Sequence, residues 1–310
     1  MIKRTLYFGN PSYLNLSNGQ LVVRLPEVEK NNELPEIIKK EAVATIPIED
    51  IGIVVLDNKQ ITVTQGLLEA LMVNNTIVVT CDSTHHPTGL LMPLSGNTIQ
   101  NERFRDQLDA SEPLKKQLWA QTISQKIKNQ SKLLEKFEID ASYLYPLYKN
   151  VKSGDSDNYE ATAAVFFWQK IFGHVNGFLR YREGPPPNNY LNYGYSILRA
   201  TMARSIVGAG LLPTLGIHHA NRYNAYCLAD DLMEPYRPFV DDIVYDLVEK
   251  YGINADIPKE IKIEFLKIPA MDVVLDNEKS PLMNATQRTA VSLVKCFSGE
   301  QKKLLYPEFS

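Results

Sequence analysis

Short stretches in which apolar and polar residues alternate, separated by turn residues, occupy the first part of the chain. The clearest turn is Asn18-Gly19 between Tyr13–Leu16 and Gln20–Leu25, because an Asn-Gly pair flanked by alternating apolar positions is typical of a β-hairpin. Further strands are predicted at 44–48, 52–56, 60–63, 76–80 and 90–94, with a short helix at 66–73. This regular spacing predicts a small β-rich, sandwich-like domain over residues 1–94.

The pattern changes after a linker at residues 95–100. Apolar residues then recur at helical spacing, at Leu114, Leu118, Ile123, Ile127, Leu133 and Phe137. Pro113 precedes this series and suits the first turn of a helix. Further helices are predicted at 157–179 and 190–207. The chain is therefore expected to be an α+β protein with a larger all-helical domain at 101–298 and a loose tail at 299–310. For this tail the alternative that Leu304–Tyr306 docks onto the protein stays open.

Composition indicates a soluble globular protein, with 44% hydrophobic and 22% charged residues among 310. No signal peptide is recognised, and no apolar run approaches the ~18 residues that would indicate a membrane span. The three cysteines are too scattered for a disulfide framework or a Cys-x-x-Cys zinc site. We therefore expect a cytoplasmic protein.

The formal net charge of -3 argues against a nucleic-acid partner. One segment nevertheless concentrates lysines, at positions 115, 116, 126, 128, 132 and 136. Two interpretations stay open for this segment: a basic patch or a solvated helix face.

Two stretches contain paired histidines. Cys81–Gly89 holds the first pair, His85 and His86, but its Asp, Ser, Pro and Gly residues are typical of a loop that connects two strands. The second pair lies in Leu215–Arg237, in a connector where Pro213 and Gly216 break the preceding helix. We expect only the second stretch to carry chemistry.

Within Leu215–Arg237, His218 and His219 are followed by carboxylates at Asp230, Asp231 and Glu234. Imidazole with carboxylates favours Mg²⁺ or Mn²⁺ over structural zinc. The alternative is that these acids stabilise a helix N-terminus and that Glu234 pairs with Arg237.

Glu160 is a third candidate, at the start of a helix rich in Ala and aromatic residues. A glutamate there would be rigid and poorly hydrated, as a metal ligand should be. The alternative is a capping box formed with Asp157. No phosphate-binding loop, dinucleotide-binding glycine pattern or nucleophile elbow is present in the sequence.

Together, these segments resemble a known family, the integrase-nuclease subunit of CRISPR adaptation, in the form associated with type II systems. The resemblance covers nearly the whole chain, and it depends on the segments Gly154–Ala164, Leu191–Leu198, Leu215–His219 and Leu228–Pro238.

This resemblance implies that Glu160, His219 and Glu234 hold a divalent metal, Mg²⁺ or Mn²⁺. Asp231 and His218 would then support these ligands, and Arg222 and Arg237 would contact DNA phosphates. The implied reaction is transesterification, in which a DNA 3′-OH attacks a phosphodiester of the repeat.

The family works as a homodimer, and a small partner protein bridges two dimers in a heterohexamer-type complex on double-stranded DNA. Two other hypotheses stay open. One is a metal-dependent nuclease that cleaves branched or single-stranded DNA without integration, and the other is a catalytically silent DNA-binding or assembly subunit.

Overall fold

The computed structural model describes residues 3–29, 43–181 and 183–309, with the side chain of residue 29 left out. The chain divides into two compact units, Met1–Gly96 and Asn97–Ser310. The first is built mainly from strands and the second mainly from helices, so the predicted α+β class is confirmed.

The described residues of the first unit form two four-stranded sheets. One has the order β1-β5-β7-β8 and the other the order β4-β3-β2-β6. Pairs β1–β5 and β5–β7 are parallel, while β7–β8 is antiparallel. The strands are β1 (Arg4–Phe8), β2 (Ser12–Ser17), β3 (Gln20–Arg24), β4 (Ala44–Pro47), β5 (Ile51–Leu56), β6 (Ile61–Val63), β7 (Ile77–Cys81) and β8 (Pro87–Leu91), with helices α1 (Pro26–Glu29) and α2 (Gln65–Val73).

The two sheets and α2 share one apolar core. Leu14 and Leu21 come from one sheet, Val54 and Val78 from the other, and Leu67 from α2. This shared core explains why apolar positions alternate along the strands.

The predicted hairpin is confirmed, because Asn18 and Gly19 both have positive φ and Ser17 pairs with Gln20. Strand β1 was not predicted. The last predicted strand, 90–94, lies three residues earlier, at Pro87–Leu91.

Helices dominate the second unit. They are α3 (Gln100–Asp109), α4 (Glu112–Lys136), α5 (Leu144–Lys149), α6 (Tyr159–Ile171), α7 (Asn188–Gly208), α8 (Cys227–Met233), α9 (Arg237–Tyr251), α10 (Lys259–Leu266) and α11 (Leu282–Phe297). Ser111 caps α4 by accepting a hydrogen bond from the Leu114 N–H, and Pro113 lies in the first turn as predicted.

Helix α7 is buried along nearly its whole length. A Cβ at Gly194 would lie 2.5 Å from Val240 Cγ1. This glycine therefore lets α9 pack closely against α7.

Three predictions for this unit were wrong. The helix predicted at 157–179 ends at Ile171. The unit is not all-helical, because β9 (Asp272–Leu275) and β10 (Glu278–Pro281) form a hairpin whose turn residues, Asp276 and Asn277, have the positive φ that a tight hairpin turn needs.

The third correction concerns the C-terminal segment, which is packed rather than loose, so the docking alternative is confirmed for Leu304 and Tyr306. Leu304, Tyr306 and Phe309 are buried, and the Tyr306 hydroxyl lies 2.8 Å from Thr122 Oγ1 on α4.

Among the described residues, no helix is long and apolar enough to cross a membrane.

Candidate metal centre

Glu160 lies in the first turn of α6, but it does not cap the helix. The Asp155 carboxylate accepts hydrogen bonds from the Tyr159 and Glu160 N–H groups, each at 2.9 Å. Asp157 instead pairs with Lys152. The capping-box alternative is therefore wrong, since Asp155 satisfies the backbone and the Glu160 carboxylate is directed elsewhere.

His219 lies in the connector between α7 and α8, where Asp231 holds it. The buried Asp231 carboxylate lies 2.5 Å from His219 Nδ1 and accepts a hydrogen bond from the His218 N–H at 2.9 Å. Gly216 allows this approach, because a Cβ there would lie 2.4 Å from the His219 carbonyl oxygen and 2.6 Å from Asp231 Oδ2. With Nδ1 engaged, Nε2 is the ring nitrogen left for a ligand.

The pKa of His219 is raised above its ordinary value. The hydrogen bond to Asp231 is the main cause, and the charges of Asp231, Glu234 and Glu160 add to it, whereas burial acts in the opposite direction. The imidazole therefore lies in the field of both glutamates.

Glu234 begins the short 3-10 turn that follows α8, and its side chain is buried. Its Oε1 lies 2.8 Å from Arg237 Nε, so the predicted Glu234–Arg237 pair is present. Burial alone would raise the pKa of Glu234, but the charges of Arg237 and Lys126 outweigh it and lower the pKa.

Lys126, in the middle of α4, joins the two glutamates. Its Nζ donates to Glu160 Oε1 at 2.7 Å and lies 2.6 Å from Glu234 Oε2. Burial disfavours this ammonium, but the charges of Glu234 and Glu160 outweigh burial and raise the pKa of Lys126. Glu234 Oε2 is close enough for an ion pair but makes no aligned hydrogen bond among the described residues.

Neither interpretation of the lysine-rich segment, a basic patch or a solvated helix face, applies to Lys126, because this residue is only 8% exposed. Its neighbours Thr122, Ile123 and Ile127 are buried, so helical spacing alone could have placed Lys126 on the inner face. Most other lysines of the segment pair with carboxylates, as expected of a solvated helix face: Lys115–Glu112, Lys128–Glu308, Lys132–Glu135 and Lys136–Asp242.

The other candidates of Leu215–Arg237 lie around this cluster. Asp230 is held by Arg199 Nε at 2.6 Å and by Asn224 at 2.7 Å. His218 stacks on Trp119 with ring centroids 4.2 Å apart. Arg222 is exposed and lies over the Tyr223 ring.

The first histidine pair forms a connecting loop, as predicted. The loop joins β7 to β8, and Asp82 Oδ1 accepts hydrogen bonds from the Thr84 and His86 N–H groups. His85 Nδ1 lies 2.7 Å from the buried Asp57.

Two pockets flank the cluster. A pocket of about 330 Å³ is lined by His219, Asn221 and Arg222, among others. A second pocket, of about 250 Å³, is lined by Lys126, Gln130, Arg180, Tyr195, Glu234, Arg237 and Asp241, together with Ala164 and Trp168.

The cluster fits a divalent cation in its chemistry. Two carboxylates and a carboxylate-backed imidazole are suitable ligands for Mg²⁺ or Mn²⁺. Across the described residues no three His, Cys, Asp or Glu side chains stand close enough to hold a metal. At this cluster the Lys126 ammonium lies between the two glutamates and pairs with both.

Comparison with known proteins identifies the family. The family described as CRISPR associated protein Cas1 matches residues 8–262. A CRISPR-associated endonuclease Cas1 from Neisseria meningitidis serogroup C is 32% identical over 311 residues, covering 99% of this chain and 97% of that protein.

Solved structures share the fold. A casposase bound to integration product superposes with a TM-score of 0.76 at 19% identity, covering 100% of this chain and 93% of the casposase. A chain of a Cas6-RT-Cas1–Cas2 complex superposes with a TM-score of 0.72 at 18% identity, covering 97% of this chain and 36% of the other.

Proposed function

Because the chain belongs to the Cas1 family of CRISPR-associated proteins, we propose that it is a metal-dependent DNA integrase. It inserts fragments of foreign DNA as new spacers into a CRISPR repeat array by transesterification. One observation carries the proposal. Glu160 and Glu234, which come from separate elements, both pair with the Lys126 ammonium, and the imidazole of His219, which Asp231 holds, lies in the field of both glutamates.

Glu160, His219 and Glu234 are the proposed ligands of Mg²⁺ or Mn²⁺. When bound, such an ion stabilises negative charge on the phosphate oxygens and favours attack by the 3′ oxygen. Asp231 keeps the His219 ring oriented with Nε2 available. Arg237 neutralises one oxygen of Glu234 and holds that carboxylate in place.

The two arginines differ as proposed phosphate contacts. Arg237 is engaged with Glu234 and lies over the Tyr195 ring. Arg222 is exposed at the pocket that His219 also lines. Arg222 is therefore better placed to contact the backbone of an incoming DNA end.

Membership of the same family also supports a proposal about the partners of this chain. The chain would act as a homodimer and bind a small partner protein in a heterohexamer-type complex on double-stranded DNA. The likeness to a chain of a Cas1–Cas2 complex supports this proposal.

The test combines the protein, its partner, a short duplex with free 3′-OH ends and a supercoiled plasmid that carries a repeat. Joining should require Mg²⁺ or Mn²⁺ and should be abolished in Glu160→Gln and His219→Ala. Matched controls are Glu138→Gln and His174→Ala, which lie outside the cluster. Normal joining by the two site variants would contradict the metal assignment, and cleavage without joining would favour the nuclease hypothesis.

A further inference from the structure

The Lys126 ammonium occupies the space between the proposed metal ligands. We propose that Lys126 is a positioning residue that fills the metal position in the metal-free protein and is displaced into the neighbouring pocket when the divalent cation binds. This inference rests on the proposed function, because it assumes that Glu160 and Glu234 are metal ligands.

The contacts of Lys126 are those of an internal cation. Its Nζ lies 2.7 Å from Glu160 Oε1 and 2.6 Å from Glu234 Oε2, and the side chain is almost fully buried. Two facing carboxylates, one of them buried, would repel each other without a cation between them. The ammonium therefore keeps both ligands in place when no metal is bound.

The charges make displacement necessary. Lys126 and Arg237 together balance the charges of Glu160 and Glu234, so these two carboxylates offer no excess negative charge to a divalent ion. A buried ammonium and a divalent ion at the same two carboxylates would repel each other strongly. Binding of the metal therefore requires the ammonium to leave.

The pocket of about 250 Å³ next to Lys126 provides the destination. Gln130 lies one turn further along α4 and lines this pocket, and its buried Oε1 makes no hydrogen bond to any described residue. Asp241 lines the same pocket and accepts a hydrogen bond from the Tyr195 hydroxyl. An ammonium that rotates into the pocket would thus find an unused acceptor and a carboxyl group.

Metal affinity tests this inference directly, through Mn²⁺ titration calorimetry on the full chain. Lys126→Met should bind Mn²⁺ more tightly than the unsubstituted chain, because no internal cation competes for the two carboxylates. Its metal-free form should melt at a lower temperature, because the two carboxylates are no longer neutralised. Lys128→Met is the control, since Lys128 pairs with Glu308 at the surface, and it should bind Mn²⁺ normally.

The outcomes separate this inference from the proposed function. If Lys126→Met bound Mn²⁺ equally or more weakly, the proposed displacement of Lys126 would be wrong, but the proposed metal site would not be contradicted. Absence of binding by both the unsubstituted chain and Lys126→Met would remove the metal site and the inference together.

Two further measurements keep the test decisive if Lys126→Met does not fold. Gln130→Leu should weaken Mn²⁺ binding severalfold without destabilising the metal-free protein, because it removes only the receiving acceptor. In the unsubstituted chain, the ¹⁵Nζ resonance of Lys126, assigned with Lys126→Arg, should shift on saturation with Mg²⁺. An unchanged resonance at saturation, or normal binding by Gln130→Leu, would contradict the proposed movement.

Discussion

Gly216 determines how closely the Asp231 carboxylate can approach the histidine turn. Any larger side chain would overlap the His219 carbonyl oxygen and Asp231 Oδ2, which come within 2.4 Å and 2.6 Å of a Cβ at this position. The orientation of His219, a proposed ligand, thus depends on the absence of a Cβ at Gly216.

Gly216→Ala should therefore lower both stability and metal affinity. Overpacking of this kind costs about 1–3 kcal/mol, and the displaced Asp231 would no longer hold the imidazole. Urea unfolding and Mn²⁺ titration measure the two effects.

Gly66→Ala is the matched control for Gly216→Ala. No atom lies within 4 Å of a Cβ at Gly66, which is in helix α2. This variant should be neutral or slightly stabilised. Unchanged urea unfolding and Mn²⁺ binding in Gly216→Ala would show that the turn can relax without releasing His219.

At the scale of elements, helices α7 and α9 meet at a buried carboxyl group. Tyr195 on α7 donates a hydrogen bond to Asp241 on α9. Burial raises the pKa of Asp241 to about 7, although the hydrogen bond and the Arg237 charge act in the opposite direction. We therefore expect the free energy of unfolding to depend on the protonation of Asp241.

The sign of this dependence follows from proton linkage. Between the unfolded pKa of about 4 and the folded pKa of about 7, the native state binds a proton that the unfolded state has lost. The free energy of unfolding should therefore decrease as pH rises through this window, by on the order of a few kcal/mol.

Asp241→Asn should remove this part of the pH dependence and gain stability relative to the unsubstituted chain above pH ~7. Denaturant unfolding at pH values from about 4 to 8 measures the effect. Asp246→Asn, an exposed position on the same helix, should retain the original profile. An identical slope in Asp241→Asn would show that another group causes the dependence.

Across the helical unit, the C-terminal segment supports the candidate centre from a distance. The fully buried Asn129 on α4 donates hydrogen bonds to the carbonyl oxygens of Pro235, at 2.7 Å, and Pro307, at 3.0 Å. Its Oδ1 accepts a hydrogen bond from the Phe309 N–H. Pro235 follows Glu234 directly, so one side chain joins the C-terminal segment to the turn that carries a proposed ligand.

Truncation after Lys303 should destabilise the protein and weaken Mn²⁺ binding. It removes the buried side chains of Leu304, Tyr306 and Phe309, each contributing about 1.5–3 kcal/mol when fully buried. Thermal unfolding and Mn²⁺ titration measure both effects. The control Glu308→Gln loses only a surface pair with Lys128 and should unfold and bind Mn²⁺ normally. If the truncated chain bound Mn²⁺ as tightly as Glu308→Gln, the C-terminal segment would not support the candidate centre.

Several elements could be predicted from the sequence because their causes are local. The Asn18-Gly19 hairpin and the start of α4 at Ser111 and Pro113 depend on residues a few positions apart. Strand β1 was missed because its parallel pairing with β5 depends on residues far along the chain.

The candidate centre likewise has some features that depend on nearby residues and others that depend on how the helices pack. The sequence by itself predicted the proposed ligands Glu160, His219 and Glu234 and the break in the helix before the histidine pair. The cap of α6 by Asp155 is also local, although it was not predicted. Only the tertiary structure decided that Lys126 lies between the two glutamates. The physical reason is that hydrogen-bonded turns and caps form between neighbouring residues, whereas a buried ion pair needs α4, α6 and the turn after α8 to pack together.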